Sequence, residues 1–509
     1  MQSLDALKNL LFRLKKDELK SLEKFILAYQ DDASNPRAKS LELVKIIFKN
    51  RELTSKEILP ILYPNRNKVA FDKLVKRLYS KILEILLFDI NLTNNKYSPR
   101  NQAIFSLRKK MIQTDILNLR GIDEEIEQHV NKIIQKARKF EAYDILLNAL
   151  YTKQKYLYTH GNKNRFDKVK REISDAENRL ISYNRSENLY NEMLKHITLN
   201  EKASLTNLTL SSAISIIESD FIATESALIG FYLYMLKTEY SQRENKYVES
   251  LQSLLKLKEI TLKNESVYTK NRYGTILLNI ANNYLLINDF FTCDKYLDES
   301  EILFADIPIN LSLVKEIRFF SELNQGKFIE ANGIITNLVT DTKSGTSIMM
   351  GKRKYYLAVV NFLFNKFDQS VELLNSLDEI EKDKEGWNFG IKLMLLLNYF
   401  EMKDLERIES SIQSVEKFIK RVKNKSQLNQ RFLLFFKIFR SLLINNVDYD
   451  STYKQQKKIF LRLDSDPSLK WYIKGPELMN ITNWFRSKIR ITNMSSDQII
   501  RSVNSNDVN

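Results

Sequence analysis

The chain has 509 residues, 43% hydrophobic and 28% charged, which is the balance of a folded protein with length for several domains or one elongated array. No apolar run reaches the roughly 20 residues needed to cross a bilayer, and the mixed-charge amino terminus lacks the layout of a secretory signal. The single cysteine, Cys293, excludes an intrachain disulfide and a cysteine-based zinc cluster, so a reducing, cytoplasmic location is expected. Only 11 Gly and 7 Pro occur, with no Pro between Pro99 and Pro308, which favours long helices joined by short loops over strands. The net charge of +16 is uneven: Lys and Arg outnumber Asp and Glu by 18 to 7 over residues 36–120 and by 17 to 6 over 415–490. Two basic stretches therefore flank a mildly acidic middle.

Residues 1–90 read as a helical module. Leu7, Leu10, Leu11 and Leu14 recur at helical spacing, as do Leu19, Leu22, Phe25, Ile26 and Tyr29. Asn35 and Pro36 break the pattern before a third helix from about Ser40 to Lys49. A short helix from about Ser55 to Tyr63 opens on Thr54 and closes at Pro64 and Asn65. The strongest periodicity then runs from about Lys68 to Phe88, with Phe71, Leu74, Val75, Leu78, Ile82, Leu83 and Leu86 on one side. Residues 91–103, polar and containing Pro99, read as a linker. Helical pairs without further signature follow over 104–239, including 104–117 with 122–137 and 139–159 with 166–183.

From there a short polar connector recurs: Asn288-Asp289-Phe290, Gly326-Lys327-Phe328, Asn365-Lys366-Phe367 and Lys403-Asp404-Leu405. Its last residues are 38, 39 and 38 positions apart, and a looser copy, Asn245-Lys246-Tyr247, lies 43 residues upstream. Regular recurrence at that period marks stacked helical hairpins. Small residues at Ala281, Cys293 and Ser300 suit a close helix crossing that larger side chains would wedge apart. The next pairs keep Ala331, Ala358 and Ser370, whereas Phe319, Leu396 and Ile408 stand at other small positions. Helices near 428–445, 451–463 and 476–489 form an expected basic cap over 416–490, and 491–509 reads as a disordered tail.

With Leu277, Ile280, Ala281, Tyr284, the Asn288-Asp289-Phe290 turn, Cys293, Leu297 and Ser300 in place, residues 277–300 resemble a tetratricopeptide repeat. Looser copies extend the resemblance over 240–415. It implies an all-α fold, a right-handed α-solenoid of antiparallel helix pairs with a period of about 38 behind the amino-terminal module. It also implies that the first helix of each pair lines a concave groove that receives a partner. Carried onto the matched units, the groove positions are Asn282, Glu316, Phe320, Tyr355, Phe362 and Phe400. An apolar, aromatic set of this kind suits an amphipathic helix of a protein partner. The competing expectation is that these rings pack on neighbouring repeats of the same chain.

Catalytic patterns are missing. His129, His160 and His196 have no second His or Cys at metal-ligand spacing, so no metal or cofactor is expected. Cys293 occupies a small-residue slot and reads as a packed thiol. The run from Gly345 to Arg353 approaches a phosphate loop but has one residue too many between its glycines and Arg353 where Ser or Thr belongs. The sequence thus predicts a non-enzymatic scaffold that binds a protein or peptide, with oligomeric state open. The alternative is a nucleic-acid-binding regulator. Arg66, Lys68, Lys73, Lys76, Arg77 and Lys81, with only Asp72 against them, could place a basic helix on phosphates in a helix-turn-helix manner.

Overall fold

The computed structural model describes residues 4–28, 36–87, 97–122, 125–159, 163–198, 203–341, 346–378, 386–421 and 429–489. Every regular element among them is helical, and there is no strand. The chain divides into two units, Met1–Ile116 and Leu117–Asn509.

The first unit contains α1 (Leu4–Leu11), α2 (Lys16–Ala28), α3 (Pro36–Lys49), α4 (Ser55–Leu62) and α5 (Lys68–Leu86), and α6 (Pro99–Leu119) runs to its boundary. Helix α5 packs on α1, α2, α3 and α4, because Phe71, Leu74, Val75, Leu78, Ile82 and Ile85 keep one continuous apolar side. Helix starts are specified locally. Asn67 accepts the Ala70 amide at 3.0 Å, and Glu57 accepts the Thr54 amide at 2.7 Å, which holds the Glu57 carboxyl below its ordinary range. Lys8 is buried and donates to the Arg51 and Leu53 carbonyls at 2.8 and 2.6 Å, closing the loop before α4.

Two expectations need correction here. Pro36 and Pro99 do not interrupt the chain but open α3 and α6, so residues 99–103 are helix and not linker. Proline fits a first helical turn, where its missing N–H has no intrahelical acceptor in any case.

In the second unit α7 (Ile126–Lys139), α8 (Tyr143–Thr159), α9 (Lys163–Thr198) and α10 (Ala203–Thr224) precede the pairs α11 (Ala227–Arg243) with α12 (Tyr247–Lys263), and α13 (Lys270–Leu286) with α14 (Phe290–Phe304). Next come α15 (Pro308–Asn324) with α16 (Phe328–Thr340), α17 (Ser347–Leu363) with α18 (Phe367–Asn375), and α19 (Trp387–Met402) with α20 (Leu405–Arg421). Helices α21 (Gln430–Ile444) and α22 (Tyr449–Ser465) follow, then a 3-10 turn at Pro467–Leu469 and α23 (Ile481–Ser487). Helix α9 extends well past the expected end near 183. The helix expected from 476 starts only at 481, where Asn480 accepts the Asn483 amide at 3.1 Å. The expected tail over 491–509 lies outside the described residues.

Each helix from α7 to α22 packs on the next, and odd-numbered helices also meet one another, as α9 with α11, α13 with α15, α17 with α19 and α19 with α21. The first helices of the pairs thus form one layer and the second helices another, which is a tetratricopeptide-like α-solenoid. The repeated connectors are helix-closing turns. Asn245, Asn288, Gly326, Asn365 and Lys403 all have positive φ, between 57° and 76°. At each, two amides fold back, as when Asn288 donates to the Leu285 carbonyl at 3.1 Å and Asp289 to the Tyr284 carbonyl at 2.9 Å. Asp289 and Asp404 then cap the next helix, accepting the amides of Thr292 and Arg407 at 3.0 Å.

The small positions of the best repeat are fully buried: Ala281, Cys293 and Ser300. The Ser300 hydroxyl donates to the Gly274 carbonyl at 3.1 Å, so a short α14 side chain reaches the α13 backbone directly. A Cβ on Gly274 would lie 2.8 Å from the Phe304 ring. Phe319, the large residue in a small slot, stacks on Tyr356 of the next pair with centroids 5.6 Å apart. Gly274→Ala is expected to lower stability by about 1–3 kcal/mol through overpacking, read as a lower denaturant midpoint at unchanged helical content.

Candidate interaction site on the first-helix layer

Consecutive first helices are joined by a seam of rings. Phe320 meets Tyr356 edge-on at 5.2 Å, Tyr356 meets Trp387 at 5.9 Å, and Phe389 meets Phe432 at 5.6 Å. The aromatic positions read from the sequence belong largely to this seam. Phe320, Tyr355, Phe362 and Phe400 are each no more than 4% exposed. Phe362 packs edge-on against Phe367 at 5.5 Å, and Phe400 lies 5.7 Å from Phe439. The expectation of an open aromatic groove is therefore corrected: Phe320, Tyr355 and Phe400 pack between neighbouring first helices, and Phe362 packs against α18 of its own pair.

Four of the six positions nevertheless converge, around residues 474–476 of the chain's own carboxy-terminal part. Lys474 donates to Asn282 Oδ1 at 2.7 Å, and its ammonium lies 5.6 Å from the centre of the Phe320 ring. Glu316, on the same helix as Phe320, supplies the opposing charge, while burial pushes the Lys474 pKa down. The Tyr355 hydroxyl donates to the Pro476 carbonyl at 2.6 Å, and burial raises the Tyr355 pKa. One helix further on, Gly390 leaves room for the segment, since a Cβ there would lie 3.0 Å from the Pro476 carbonyl oxygen and 3.1 Å from its Cβ. Helices α13, α15, α17 and α19 thus each contribute to one non-helical stretch. Phe362 and Phe400 do not join this group.

The segment is tied down at its flanks by Arg431 at the start of α21. This buried guanidinium makes two hydrogen bonds to Glu477, one of them Nη2–Oε1 at 3.0 Å, and donates to the Leu469 carbonyl at 2.9 Å and to Thr482 Oγ1 at 3.3 Å. Burial pushes the Glu477 carboxyl upward, while Arg431 and the Ile481 amide at 2.9 Å pull it back. Trp471 donates to the Glu477 carbonyl at 2.7 Å, and Trp484 of α23 donates to Glu401 at 2.7 Å.

Sequence reasoning did not single out Lys474, Pro476, Glu477, Arg431 or Gly390. A signal was present, because Gly475-Pro476 is the one place where Gly directly precedes Pro. Asn282 and Lys474, however, are 192 residues apart, and no local pattern links them.

The remaining candidates lie elsewhere. Arg66, Lys68, Lys73, Lys76 and Arg77 are exposed on or just before α5, and Lys81 is half-buried. Among the described residues no group of three His, Cys, Asp or Glu could hold a metal ion, and no helix is long and apolar enough to cross a membrane. His129 and His196 lie 3.9 and 3.8 Å from Glu125 and Glu192 one turn away, and His160 falls outside the described residues. Cys293 is fully buried, and burial pushes its thiol up to about 12. Lys352 of the phosphate-loop-like run sits 4.4 Å over the Trp387 ring, Arg353 is buried with Ser312 at 3.0 Å, and Gly345 lies outside the described residues.

No family model matches the chain, and no curated protein matches it. Among solved structures it is similar to the apo form of RapI, with a TM-score of 0.42 and 11% identity over 70% of this chain and 86% of that one. It is also similar to a signal-transduction ATPase of the STAND class with a tetratricopeptide repeat sensor from Pyrococcus horikoshii, with a TM-score of 0.31 and 13% identity. That match covers 89% of this chain and 64% of the ATPase. The layered pairs, the closing turns and the small-residue crossings described above make this chain a tetratricopeptide-like helical-repeat protein.

Substitutions at two buried sites test the packing. Phe362→Asp is expected to lower the melting temperature sharply, at a cost of at least about 3–5 kcal/mol, because it empties a packed ring site and buries a charge. Arg431→Ala is expected to cost about 3–5 kcal/mol by leaving Glu477 buried without its partner, whereas Arg431→Met combined with Glu477→Met recovers most of that loss in denaturant titration.

Proposed function

We propose that this chain is a non-catalytic helical-repeat scaffold that holds a protein partner along the first-helix face of its repeats. The observation that carries this reading is the convergence of Asn282, Glu316, Phe320, Tyr355 and Gly390, from four successive first helices, on one non-helical stretch of polypeptide. A face that binds such a stretch of its own chain has the donors, acceptors and clearance to bind one from elsewhere. The occupant it fits is non-helical, which shifts the reading away from the amphipathic helix first expected. Recognition here involves hydrogen bonds and packing, with no bond chemistry, and a cytoplasmic setting accords with the lone, sealed Cys293.

The second reading, nucleic-acid contact through α5, is favoured by Lys73, Lys76 and Arg77 standing exposed on the side opposite Leu74 and Leu78. Ionic strength separates the two, since phosphate binding weakens steeply with salt and contacts to a buried peptide face respond weakly.

The test is affinity capture from native lysate, with and without nuclease, at low and high salt. The expected result is a discrete protein that survives both treatments and is lost when Asn282 and Glu316 are both replaced by Ala. Equal retention by that variant rejects the first-helix face. Recovery of nucleic acid alone, abolished by replacing Lys73, Lys76 and Arg77, moves the function to α5.

A further inference from the structure

The segment on the first-helix face is held in an unusual way for this fold. Between the 3-10 turn and α23 it has no helix, and a backbone bond from Gly475 to the Tyr472 carbonyl at 3.1 Å forms a single turn. Its other anchors are side chains: Asn282 and Phe320 on Lys474, Tyr355 on Pro476, and Trp471 and Arg431 on Glu477. The stretch also buries Ile473, Glu477 and Leu478, so its release exposes apolar surface and is the step a competing partner must drive.

The face beneath is built for a cation followed by a bend. A lysine ammonium receives an amide acceptor from Asn282 and a ring face from Phe320, while Glu316, itself paired with Arg353 at 3.4 Å, adds a favourable charge without direct contact. Two residues further along, the Tyr355 hydroxyl supplies a donor for a backbone carbonyl. There Gly390 gives clearance, since a Cβ would lie 3.0 Å from the Pro476 carbonyl oxygen and 3.1 Å from its Cβ. Proline suits that place because it offers no N–H to leave unpaired and fixes its own φ.

We infer that this face is a recognition site for a non-helical segment with lysine two residues ahead of proline, occupied in cis by Lys474-Gly475-Pro476, and that a partner bearing the same chemistry binds by displacing it. The inference rests on the scaffold reading given above and adds to it the partner's chemistry and the need for displacement. A tethered occupant competes at an effective concentration of order millimolar, so a segment of about micromolar intrinsic affinity holds back any partner by roughly 10³-fold until it leaves.

The test uses the full chain and a fluorescein-labelled peptide copying residues 470–480, with binding read by polarisation. Lys474→Glu removes the donor to Asn282 and the cation beside Phe320, adds a charge of the same sign as Glu316, and is expected to release the segment without altering the face. The expected result is saturable binding of the peptide to this variant, at least about ten-fold tighter than to the unaltered chain, and lost when the peptide carries glutamate in place of its central lysine. Absence of saturable binding to a variant with unchanged helical circular dichroism overturns the inference, as does equal binding to variant and unaltered chain. Where Lys474→Glu loses helix, Lys474→Ala, which removes both the donor to Asn282 and the contact with Phe320, carries the same expectation. Loss of helix in both variants makes Lys474 a core residue and also overturns it. A failure here combined with a captured protein partner leaves the scaffold reading standing, whereas failure of both removes it.

Discussion

A helical hairpin must reverse its backbone without leaving buried polar groups unpaired, and in this chain one left-handed residue does so at each turn of the array. Asn245, Asn288, Gly326, Asn365 and Lys403 adopt the same closing geometry, and their two returning amides satisfy carbonyls at the helix end. Everything downstream depends on that short reversal. Because each second helix starts within two residues of the turn, it lies antiparallel against its partner, and the first helices are left to stack in their own layer. Asn and Gly accept this backbone at little cost, and Lys403 accepts it with a larger one.

The layer then sets how the interior is filled. Where helices cross closely, as α13 over α14, the sequence supplies Gly274, Ala281, Cys293 and Ser300. Where first helices lie side by side, it supplies rings. Phe319 in a nominally small slot is consistent with this division, since its ring stacks outward onto Tyr356 of the next pair instead of separating its own two helices. The seam of rings leaves polar residues such as Asn282 and Glu316 to face the occupying segment.

Much of the fold was legible because it is written locally. The connectors at period 38–39 are the closing turns, and the residue ending each one begins the next second helix. Pro36 and Pro99 were misread because proline is both a breaker of helix interiors and a favoured opener, and only the pattern beyond it distinguishes the two. Pro308 opens α15 by the same rule. The site was legible in position but not in content. Periodicity placed Asn282, Glu316, Phe320 and Tyr355 on the first helices, yet it does not say whether a ring faces solvent or a neighbouring helix. Nor does it show that Lys474 and Pro476 arrive from far along the chain. Arg431 was hidden for the same reason, as a single basic residue in an apolar helix whose acidic partner lies 46 positions away.

The separation of 192 residues between Asn282 and Lys474 also orders events during synthesis. Repeat arrays fold by neighbour contacts, so the pairs α11–α12 to α17–α18 can assemble while the rest of the chain is still being made. At typical translation rates Lys474 is added about 10–40 s after Asn282. The face is complete once Gly390 has been made, 84 residues before Lys474, so for about 4–17 s of that interval it exists without its own occupant. The face is covered only once residues 474–476 have emerged.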